Sequence, residues 1–426
     1  MQLGKGNQIT QGANKQPVKK KQGKSLAGRA NAWLHLWLGL VSGIIVFIVS
    51  VTGCIYAFQR EITNVTQPYQ FVEVQDKPYM APSELKALAT KYAFGEKGET
   101  EKQRITGVAY GPGKAAVLNY GNRKDGFFAL YLNPYTGQLL GKKDFNKDFF
   151  AFILKGHFYL WLPAEIGHVV VASAILIFVI LLITGLVMWW PKNLKKANRE
   201  KSFKIKWGAS FKRVNYDLHN VLGFYVMLLA LVLALTGLVW GFEWFAKGSY
   251  FVTSGGKSRP IVREKLFSDT TNIVHVAQAE DKVFSDMAKH YAGQYAYLSV
   301  SFPGAKADPI VVNFNPDAGT YYRRQFHYFD RYSLKEMPSK ALYSQAYEKG
   351  SFADKLYRMN YDIHVGAIGG LTGKVIAFFA SLICATLPVT GFLVWWGRRK
   401  KKPIAKKAQP MPKARVIPAV KEPAVI

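Results

Sequence analysis

Four long apolar runs constrain the fold of this chain more strongly than any other feature of its sequence. They cover approximately residues 36–58, 169–190, 221–242 and 371–396. The first three contain no Lys, Arg, Asp or Glu, and the fourth contains only Lys374. A helix needs about 20 apolar residues to cross the hydrocarbon core of a bilayer. The sequence therefore predicts an integral membrane, α-helical protein with four transmembrane helices.

These helices divide the chain into nine predicted segments. In chain order they are a basic cytoplasmic tail (1–30), transmembrane helix 1 (31–58), a periplasmic module with an interfacial segment (59–156), a histidine-bearing interfacial segment with transmembrane helix 2 (157–190), a basic cytoplasmic loop (191–215), transmembrane helix 3 (216–242), a second periplasmic module (243–363), a histidine-bearing segment with transmembrane helix 4 (364–396) and a basic cytoplasmic tail (397–426). The first helix has no small-x-small cleavage site after it, so we expect it to stay in place as an anchor.

Basic residues are concentrated in the three segments that four crossings place on one side. The tail before residue 31 has seven Lys or Arg and no acid, the 191–215 loop has nine against one acid, and the segment after residue 396 has ten against one. The positive-inside rule makes this side cytoplasmic, which predicts a multi-pass membrane protein with both termini in the cytoplasm. The formal net charge of +30 then fits anionic membrane lipids as partners and not nucleic acid.

An internal repeat relates the two halves of the chain. The sequence "LHLWLG" at 34–39 recurs as "LHNVLG" at 218–223, and each of these histidines is followed 17 residues later by the threonine of a Thr-Gly pair. Likewise, "ITGLVMWWPK" at 183–192 matches "VTGFLVWWGR" at 389–398. Because helices 1 and 3 cross in the same direction, the halves are predicted to be parallel repeats about an axis along the membrane normal.

The two long periplasmic loops repeat as well. Each contains a stretch with amphipathic helical spacing, at 82–93 and at 280–292, followed by strand-like runs and a tight turn that begins with Asn-Pro. The sequence predicts two small α+β modules outside the membrane.

The repeat also places histidines at both membrane faces. His35 and His219 occupy equivalent cytoplasmic ends of helices 1 and 3, and His364 precedes helix 4 at the outer face. Either His157 or His168 could be its partner before helix 2. Counted back from the Thr-Gly pairs of helices 2 and 4, His157 and His364 lie 27 and 26 residues away, whereas His168 has no histidine counterpart.

Two facing imidazoles at each membrane face are what a bis-histidine haem iron requires, with one ligand on each side of the porphyrin plane. Gly39 and Gly223 lie four residues after His35 and His219, and we expect them to leave room for the flat ring. No C-x-x-C-H motif occurs, so the prediction is two b-type haems bound non-covalently. The alternative is that each histidine only satisfies a backbone carbonyl, although ionisable residues within membranes are usually functional.

Several motifs carry a resemblance to a known family. They are "LHLWLG", "LKGHFYLWL", "ITGLVMWWP", "YDLHNVLG", "YDIHVG" and the strand-turn "LYLNPYTGQLLG". Over about residues 30–398 the chain resembles the PepSY-associated transmembrane proteins, which include inner-membrane ferric-siderophore reductases. The resemblance implies a four-helix di-haem protein of a bacterial inner membrane, with PepSY-like modules. The implied haem ligands are His35, His157, His219 and His364, with His168 left open as an alternative outer ligand.

The same resemblance implies an oxidoreductase that passes electrons outward to a ferric siderophore or another ferric chelate. The electron donor would be a cytoplasmic or quinol molecule, because the chain has no G-x-G-x-x-G motif after a strand and thus no dinucleotide-binding domain. Two alternatives stay open at this point. One is a haem electron carrier with a different acceptor, and the other is a haem-free accessory or sensor protein.

A basic and aromatic stretch, "YYRRQFHYFDRY" at 321–332, is the candidate substrate surface. Arg323, Arg324, His327 and Arg331 lie in it, and arginine both pairs with carboxylates and stacks on rings. The alternative interpretation is an ordinary strand surface that packs between modules.

Overall fold

The computed structural model describes residues 25–122, 126–191, 193, 195–271 and 273–399. Most of the two predicted cytoplasmic tails therefore lies outside the described residues. Within them, four helical segments are long and apolar enough to cross a membrane, namely Leu26–Ala57, Ala164–Trp189, Phe211–Gly241 and Ala367–Arg399. The prediction of four spans is confirmed at this level.

Helices and strands alternate in two similar series along the described chain. The helices are α1 (Leu26–Ala57), α2 (Gln59–Thr66), α3 (Pro82–Phe94), α4 (Phe149–Tyr159), α5 (Ala164–Trp189), α6 (Lys196–Phe203), α7 (Phe211–Asp217), α8 (Gly223–Gly241), α9 (Glu243–Thr253), α10 (Ala279–His290), α11 (Phe352–His364) and α12 (Gly370–Arg399). The strands are β1 (Ile105–Tyr110), β2 (Ala116–Asn122), β3 (Gly126–Leu132), β4 (Leu139–Asp144), β5 (Tyr297–Ser301), β6 (Ile310–Asn315), β7 (Gln325–Phe329) and β8 (Glu336–Met337).

The spans form one bundle, in which α1 packs against α5 and α12 and α8 packs against the same two helices. Small side chains fill much of its buried centre, among them Ala230, Ala234, Ala380 and Cys384. Small residues let helix backbones approach closely, which is how helices associate where lipid removes the hydrophobic driving force.

Two breaks set the direction of the chain just before α5 and α12. After α4, Leu160 and Trp161 take left-handed backbone conformations (φ 54° and 58°), and Pro163 precedes the first residue of α5. After α11, Gly366 has φ 73° and its Cα lies against the backbone of Gly373, where a side chain would clash. The segments predicted as 157–190 and 364–396 therefore each begin at the C-terminal end of a short helix, α4 or α11, and a break separates that end from the span.

The third span also departs from a regular helix. Between α7 and α8, residues Leu218–Leu222 form a π-helical turn that contains His219. Such single π turns widen a helix locally and occur frequently at functional sites. The span begins at Phe211, five residues before the predicted start at 216.

All eight strands join into one antiparallel sheet with the order β4-β3-β2-β1-β5-β6-β7-β8. The two predicted α+β modules meet where β1 pairs with β5, with Val108 opposite Val300. Helices α3 and α10 cover the sheet and contribute Leu85 and Phe284 to a single apolar core. The modules are therefore continuous with each other through the centre of the sheet.

Candidate cofactor site

Four histidines come together as two pairs at opposite ends of the bundle. His35 and His219 form the tail-side pair, with ring centroids 6.4 Å apart, and His157 and His364 form the sheet-side pair, with centroids 6.2 Å apart. A metal–imidazole bond is about 2.0–2.1 Å long, and the ring centroid lies roughly one further bond length beyond the nitrogen. Two imidazoles on one metal ion therefore have their ring centroids roughly 6–6.5 Å apart. Both pairs therefore have the spacing at which one metal ion fits between two imidazoles.

Each histidine is fixed through its Nδ1 atom by a threonine of a Thr-Gly pair. The distances from Nδ1 to Oγ1 are 2.9 Å for His35–Thr184, 3.2 Å for His157–Thr52, 3.0 Å for His219–Thr390 and 2.9 Å for His364–Thr236. The threonines lie on α5, α1, α12 and α8, so that each pair of histidines is supported by two different spans.

The threonine hydroxyls also determine the tautomer of the rings. Each one donates its proton to the backbone carbonyl four residues earlier in its own helix, at 2.7 to 2.9 Å, so its oxygen is left to accept. The imidazole Nδ1 must then be the donor, and the Val49 and Leu387 carbonyls near His157 and His219 require the same. Among the described residues, no hydrogen bond uses Nε2 of these four rings, which leaves its lone pair free to bind a metal.

The glycine of each Thr-Gly pair makes room for the ring. A Cβ atom at Gly185 or Gly391 would lie 3.2 or 3.0 Å from Cε1 of the tail-side rings, and one at Gly53 or Gly237 would lie 3.3 or 3.5 Å from the sheet-side rings. The positions at Gly185, Gly391 and Gly53 are tight, because carbon atoms prefer separations of about 3.5–4.0 Å, whereas Gly237 is at the lower end of that range. The side chain missing from glycine is therefore part of the site.

Gly39 and Gly223, which the sequence favoured for this role, lie elsewhere. Their nearest neighbours across the bundle are the side chains of Leu181 and Leu387, at 3.8 and 3.6 Å from an ideal Cβ. They face the supporting span one helical turn away from the ring, because a residue four positions on lies about one turn farther along the helix.

An asparagine four residues before three of the histidines makes a further shared contact. The side-chain amides of Asn31, Asn215 and Asn360 each donate to the backbone carbonyl of the supporting threonine at 3.1 Å. The fourth histidine, His157, has the buried Ile153 at this position instead. The sheet-side pair thus has one such contact and the tail-side pair has two.

The two pairs are separate sites. His35 and Thr52 are 17 residues apart on α1, which corresponds to about 25 Å along a helix with a rise of 1.5 Å per residue. Within the described part of the chain, no group of three or more His, Cys, Asp or Glu side chains converges to hold a bare metal ion. Two imidazoles alone suit an iron whose remaining ligands come from a porphyrin, so the residues present fit a haem at each pair.

A cavity of about 770 Å³ opens from the sheet-side pair towards the sheet. Apolar side chains of the bundle line its floor, and tyrosine and arginine side chains line its upper part. Its volume is within the range of about 300–1,000 Å³ that is typical of small-molecule sites.

His168 also lines this cavity but is not placed opposite His364. Its Nε2 lies 3.1 Å from the backbone carbonyl of Trp240, to which it donates a hydrogen bond. The corresponding position in the second half is the buried Lys374, which forms an ion pair at 2.6 Å with the partly exposed Glu61. The structure thus brings His157, and not the alternative His168, to the sheet-side pair.

Of the four predicted substrate residues, only Arg324 lines the cavity. Arg323 pairs with Asp317 and Glu348 at 3.4 and 3.0 Å. His327 contacts Glu336 and Tyr291, and Arg331 donates to the backbone carbonyl of Ala305. These three side chains have their partners in or beside the sheet, away from the two histidine pairs.

Buried charges on α11 tie the helix of His364 to the turn just before β7. The Asp362 carboxylate, which is 0% exposed, accepts hydrogen bonds from the backbone N–H groups of Tyr321 and Tyr322. Burial raises the pKa of this carboxyl, although the two N–H groups act in the opposite direction. The Arg358 guanidinium is 2% exposed and donates to backbone carbonyls, and burial lowers its pKa.

The geometry agrees with a comparison to known families. A family model of the PepSY-associated TM region matches residues 32–398. The chain belongs to the PepSY-associated TM family. The match includes both histidine pairs, the sheet and most of every span, and it confirms the family that the sequence motifs indicate. Among curated proteins, the comparison finds no match.

Within this PepSY-associated protein, two supporting features escaped the sequence analysis. The four Thr-Gly pairs served only as markers of the repeat, although their recurrence opposite four histidines was visible. The asparagines of "NAWLH", "NYDLH" and "NYDIH" were equally visible at a constant spacing before three histidines. Both features could have been found by asking which polar residues in the apolar repeat recur with the histidines.

Proposed function

We propose that this protein is a di-haem electron-transfer protein of a bacterial inner membrane, which reduces ferric iron in siderophores on the outer side and so releases ferrous iron. One observation supports it above the others. Each face of the bundle holds two imidazoles at about 6 Å, with Nδ1 fixed as a donor and Nε2 free. A haem iron held by two imidazoles would have both of its protein-ligand positions filled, and such an iron suits electron transfer.

The roles of the residues follow from their contacts. The four histidines would be the axial ligands, the four threonines would orient the rings, and the glycines beside them would leave the rings room. A haem bound at each pair would supply a one-electron redox centre, held non-covalently because no C-x-x-C-H motif is present. The apolar bundle between the pairs would exclude water and ions while electrons cross.

In the proposed arrangement the two halves of the chain are parallel repeats, and each half supplies one histidine to each pair. His35 and His157 come from the first half, and His219 and His364 come from the second. The charge distribution supports the orientation, with the tails and the 191–215 loop in the cytoplasm and the sheet outside. A cytoplasmic or quinol donor would then supply electrons near the tail-side pair.

The sheet-side cavity gives the acceptor a place to approach. A ferric chelate gains one electron and becomes ferrous, and a ferrous ion binds hard oxygen ligands less strongly than a ferric ion. Reduction thus releases the metal without any bond being broken by a nucleophile. The protein's part is to hold the redox centres and to bring the chelate close to the sheet-side pair.

Absorbance spectra of the purified full-length protein test the proposal directly. The dithionite-reduced protein should show b-type haem bands, with close to two haems per chain. Addition of a ferric siderophore should reoxidise it and deliver ferrous iron to a ferrous-specific chelator. The gallium(III) form of the same siderophore, which accepts no electron under these conditions, is the matched control.

Two results would count against this function. Protein isolated without haem from a haem-replete host would exclude the di-haem proposal. Haem-loaded protein that reduces no ferric chelate would exclude the ferric reductase and favour an electron carrier with another acceptor.

A further inference from the structure

Three arginines line the sheet-side cavity, and they lack a balancing acid there. The guanidinium groups of Arg263, Arg324 and Arg358 all reach it, whereas none of its lining residues in the described chain is Asp or Glu. Removing a charge from water is costly unless an opposite charge or several hydrogen bonds compensate for it. The upper part of the cavity therefore favours an anion.

Arg263 is exposed to solvent, and of the two arginines that are not exposed, Arg324 has fewer partners than Arg358. The Nε of Arg324 is buried without a hydrogen-bond partner, and no ion pair or hydrogen bond among the described residues uses its guanidinium group. The group lies instead over the ring of Tyr343, with 4.7 Å to the centroid, and near the rings of Phe326 and Tyr321. Aromatic rings hold the plane of the guanidinium group while its N–H donors stay available.

Arg358 adds a second positive charge beside the same ring. Its guanidinium carbon lies 4.9 Å from the Tyr343 centroid, and its N–H groups donate to the carbonyls of Tyr322, Gln345 and Arg324 at 2.7 to 2.9 Å. Carbonyl oxygens satisfy its donors but do not neutralise its charge. Two acids outside the cavity lining act on these charges at longer range, Asp362 on Arg324 and Glu348 on Arg358. Asp362 accepts hydrogen bonds from two backbone N–H groups, and Glu348 forms its ion pair with Arg323.

We propose that the upper part of this cavity is a carboxylate-binding site, in which Arg324 contacts the ligand, Arg263 adds charge at the rim and Arg358 fixes the position of Arg324. Arginine binds a carboxylate with two parallel hydrogen bonds, and such charge-assisted pairs are about twice as strong as neutral ones. The carboxylates belong either to the propionates of a haem at the sheet-side pair or to an incoming iron chelate. The choice between these sources rests on the proposed function, whereas the anion site itself does not.

The neighbouring Arg323 provides a matched control. It carries the same charge one residue away, but it is paired with Asp317 and Glu348 and does not line the cavity. Arg324→Gln and Arg323→Gln therefore remove the same charge with different consequences for the cavity. Arg324→Lys keeps the charge and loses the planar fork, so it reports on the site even if the glutamine variant folds poorly.

The first arm measures haem retention by the full-length protein in detergent. We expect Arg324→Gln to lose haem to excess apomyoglobin at least about tenfold faster than Arg323→Gln, because one charge-assisted pair is removed. Arg324→Lys should fall between the two. Haem content is followed by absorbance, which requires no turnover.

The second arm measures binding of gallium(III) citrate, a carboxylate chelate that accepts no electron, through the fluorescence of tryptophan. Trp240 lines the cavity and provides a local signal. If the chelate uses the site, Arg324→Gln should weaken its binding at least about tenfold relative to Arg323→Gln.

The two arms separate the possible sources of the carboxylate. Faster haem loss with unchanged citrate binding assigns the site to the propionates, and the reverse pattern assigns it to the chelate. Equal behaviour of Arg324→Gln and Arg323→Gln in both arms overturns the carboxylate site. Protein that contains no haem contradicts the proposed function, and the citrate arm alone then decides whether the anion site exists.

Discussion

The tail-side and sheet-side histidine pairs share their chemistry but differ in how the chain supports them. The tail-side histidines lie within the spans themselves, and both have an asparagine that contacts the supporting threonine. The sheet-side histidines lie on the short helices α4 and α11, outside the spans, and only Asn360 provides this contact. The bundle alone therefore builds the tail-side site, whereas the sheet-side site depends on the chain segments that lead to and from the sheet.

The glycines show the same contrast on a smaller scale. An added Cβ atom would lie 3.0 and 3.2 Å from the tail-side rings but 3.3 and 3.5 Å from the sheet-side rings. The sheet-side pair also opens into the cavity, and Asp362 joins the helix of His364 to the turn that precedes β7. We therefore expect the tail-side pair to be the more rigid and the sheet-side pair the more adaptable.

The largest expected effect comes from removing a ligand from either pair. If each pair binds a haem as proposed, His35→Ala should abolish haem binding at the tail-side pair only and His364→Ala at the sheet-side pair only. Each variant should then keep about half of the haem. The haem-to-protein ratio of purified variants measures this, with His168→Ala as a control that keeps most of the haem. Loss of haem from His168→Ala with full retention by His157→Ala would show that the pairing is wrong.

Removing a supporting hydroxyl should have the next largest effect. Thr184→Val and Thr236→Val each remove the acceptor of an Nδ1–H group while keeping the shape of the side chain. Loss of such a partner typically weakens metal-site affinity by about 10- to 100-fold. Haem transfer to apomyoglobin measures the change, and Thr→Ser variants that keep the hydroxyl should stay close to the parent protein. If Thr184→Val and Thr236→Val lose haem at similar rates, the difference between the two pairs lies in the asparagines and not in the threonines.

The asparagines should then separate the pairs in stability. The double variant Asn31→Ala and Asn215→Ala removes two hydrogen bonds and Asn360→Ala removes one, each worth about 0.5–1.5 kcal/mol. Thermal unfolding of the full-length protein should thus show about twice the loss for the double variant. Equal losses would mean that these contacts do not distinguish the two pairs.

The smallest expected effect is a graded response to an added methyl group. Gly391→Ala places a Cβ atom 3.0 Å from His219 and should shift the reduced haem spectrum of the tail-side pair, whereas Gly237→Ala, at 3.5 Å from His364, should change it little. Redox titration resolves the two centres if their potentials differ. A larger response at Gly237 would contradict the view that the tail-side pair is the more tightly packed.

The sequence predicted what depends on local pattern and repeat. The spans follow from the length and apolarity of their runs, and the four histidines follow from their recurrence. Contacts between distant residues were missed, such as Thr52 with His157 and Asn215 with Thr390, because they depend on which spans pack together. Arg323 and Arg324 are adjacent in the sequence and carry the same charge, and only the packing of α11 shows which of them meets the cavity.

The continuous sheet has one more consequence, which concerns its edges. Unpaired strand edges are open to pairing with other chains, and proteins protect them with charges or with very short strands. Here the outer edges are β4, which carries Lys142 and Lys143, and the two-residue β8. The apolar β1 and β5 cover each other at the centre. A chain of half the length would leave the edge of β1 or β5 unpaired. Antiparallel pairing of that strand with its copy in a second chain, related by a two-fold axis, would restore an eight-stranded sheet of the same order.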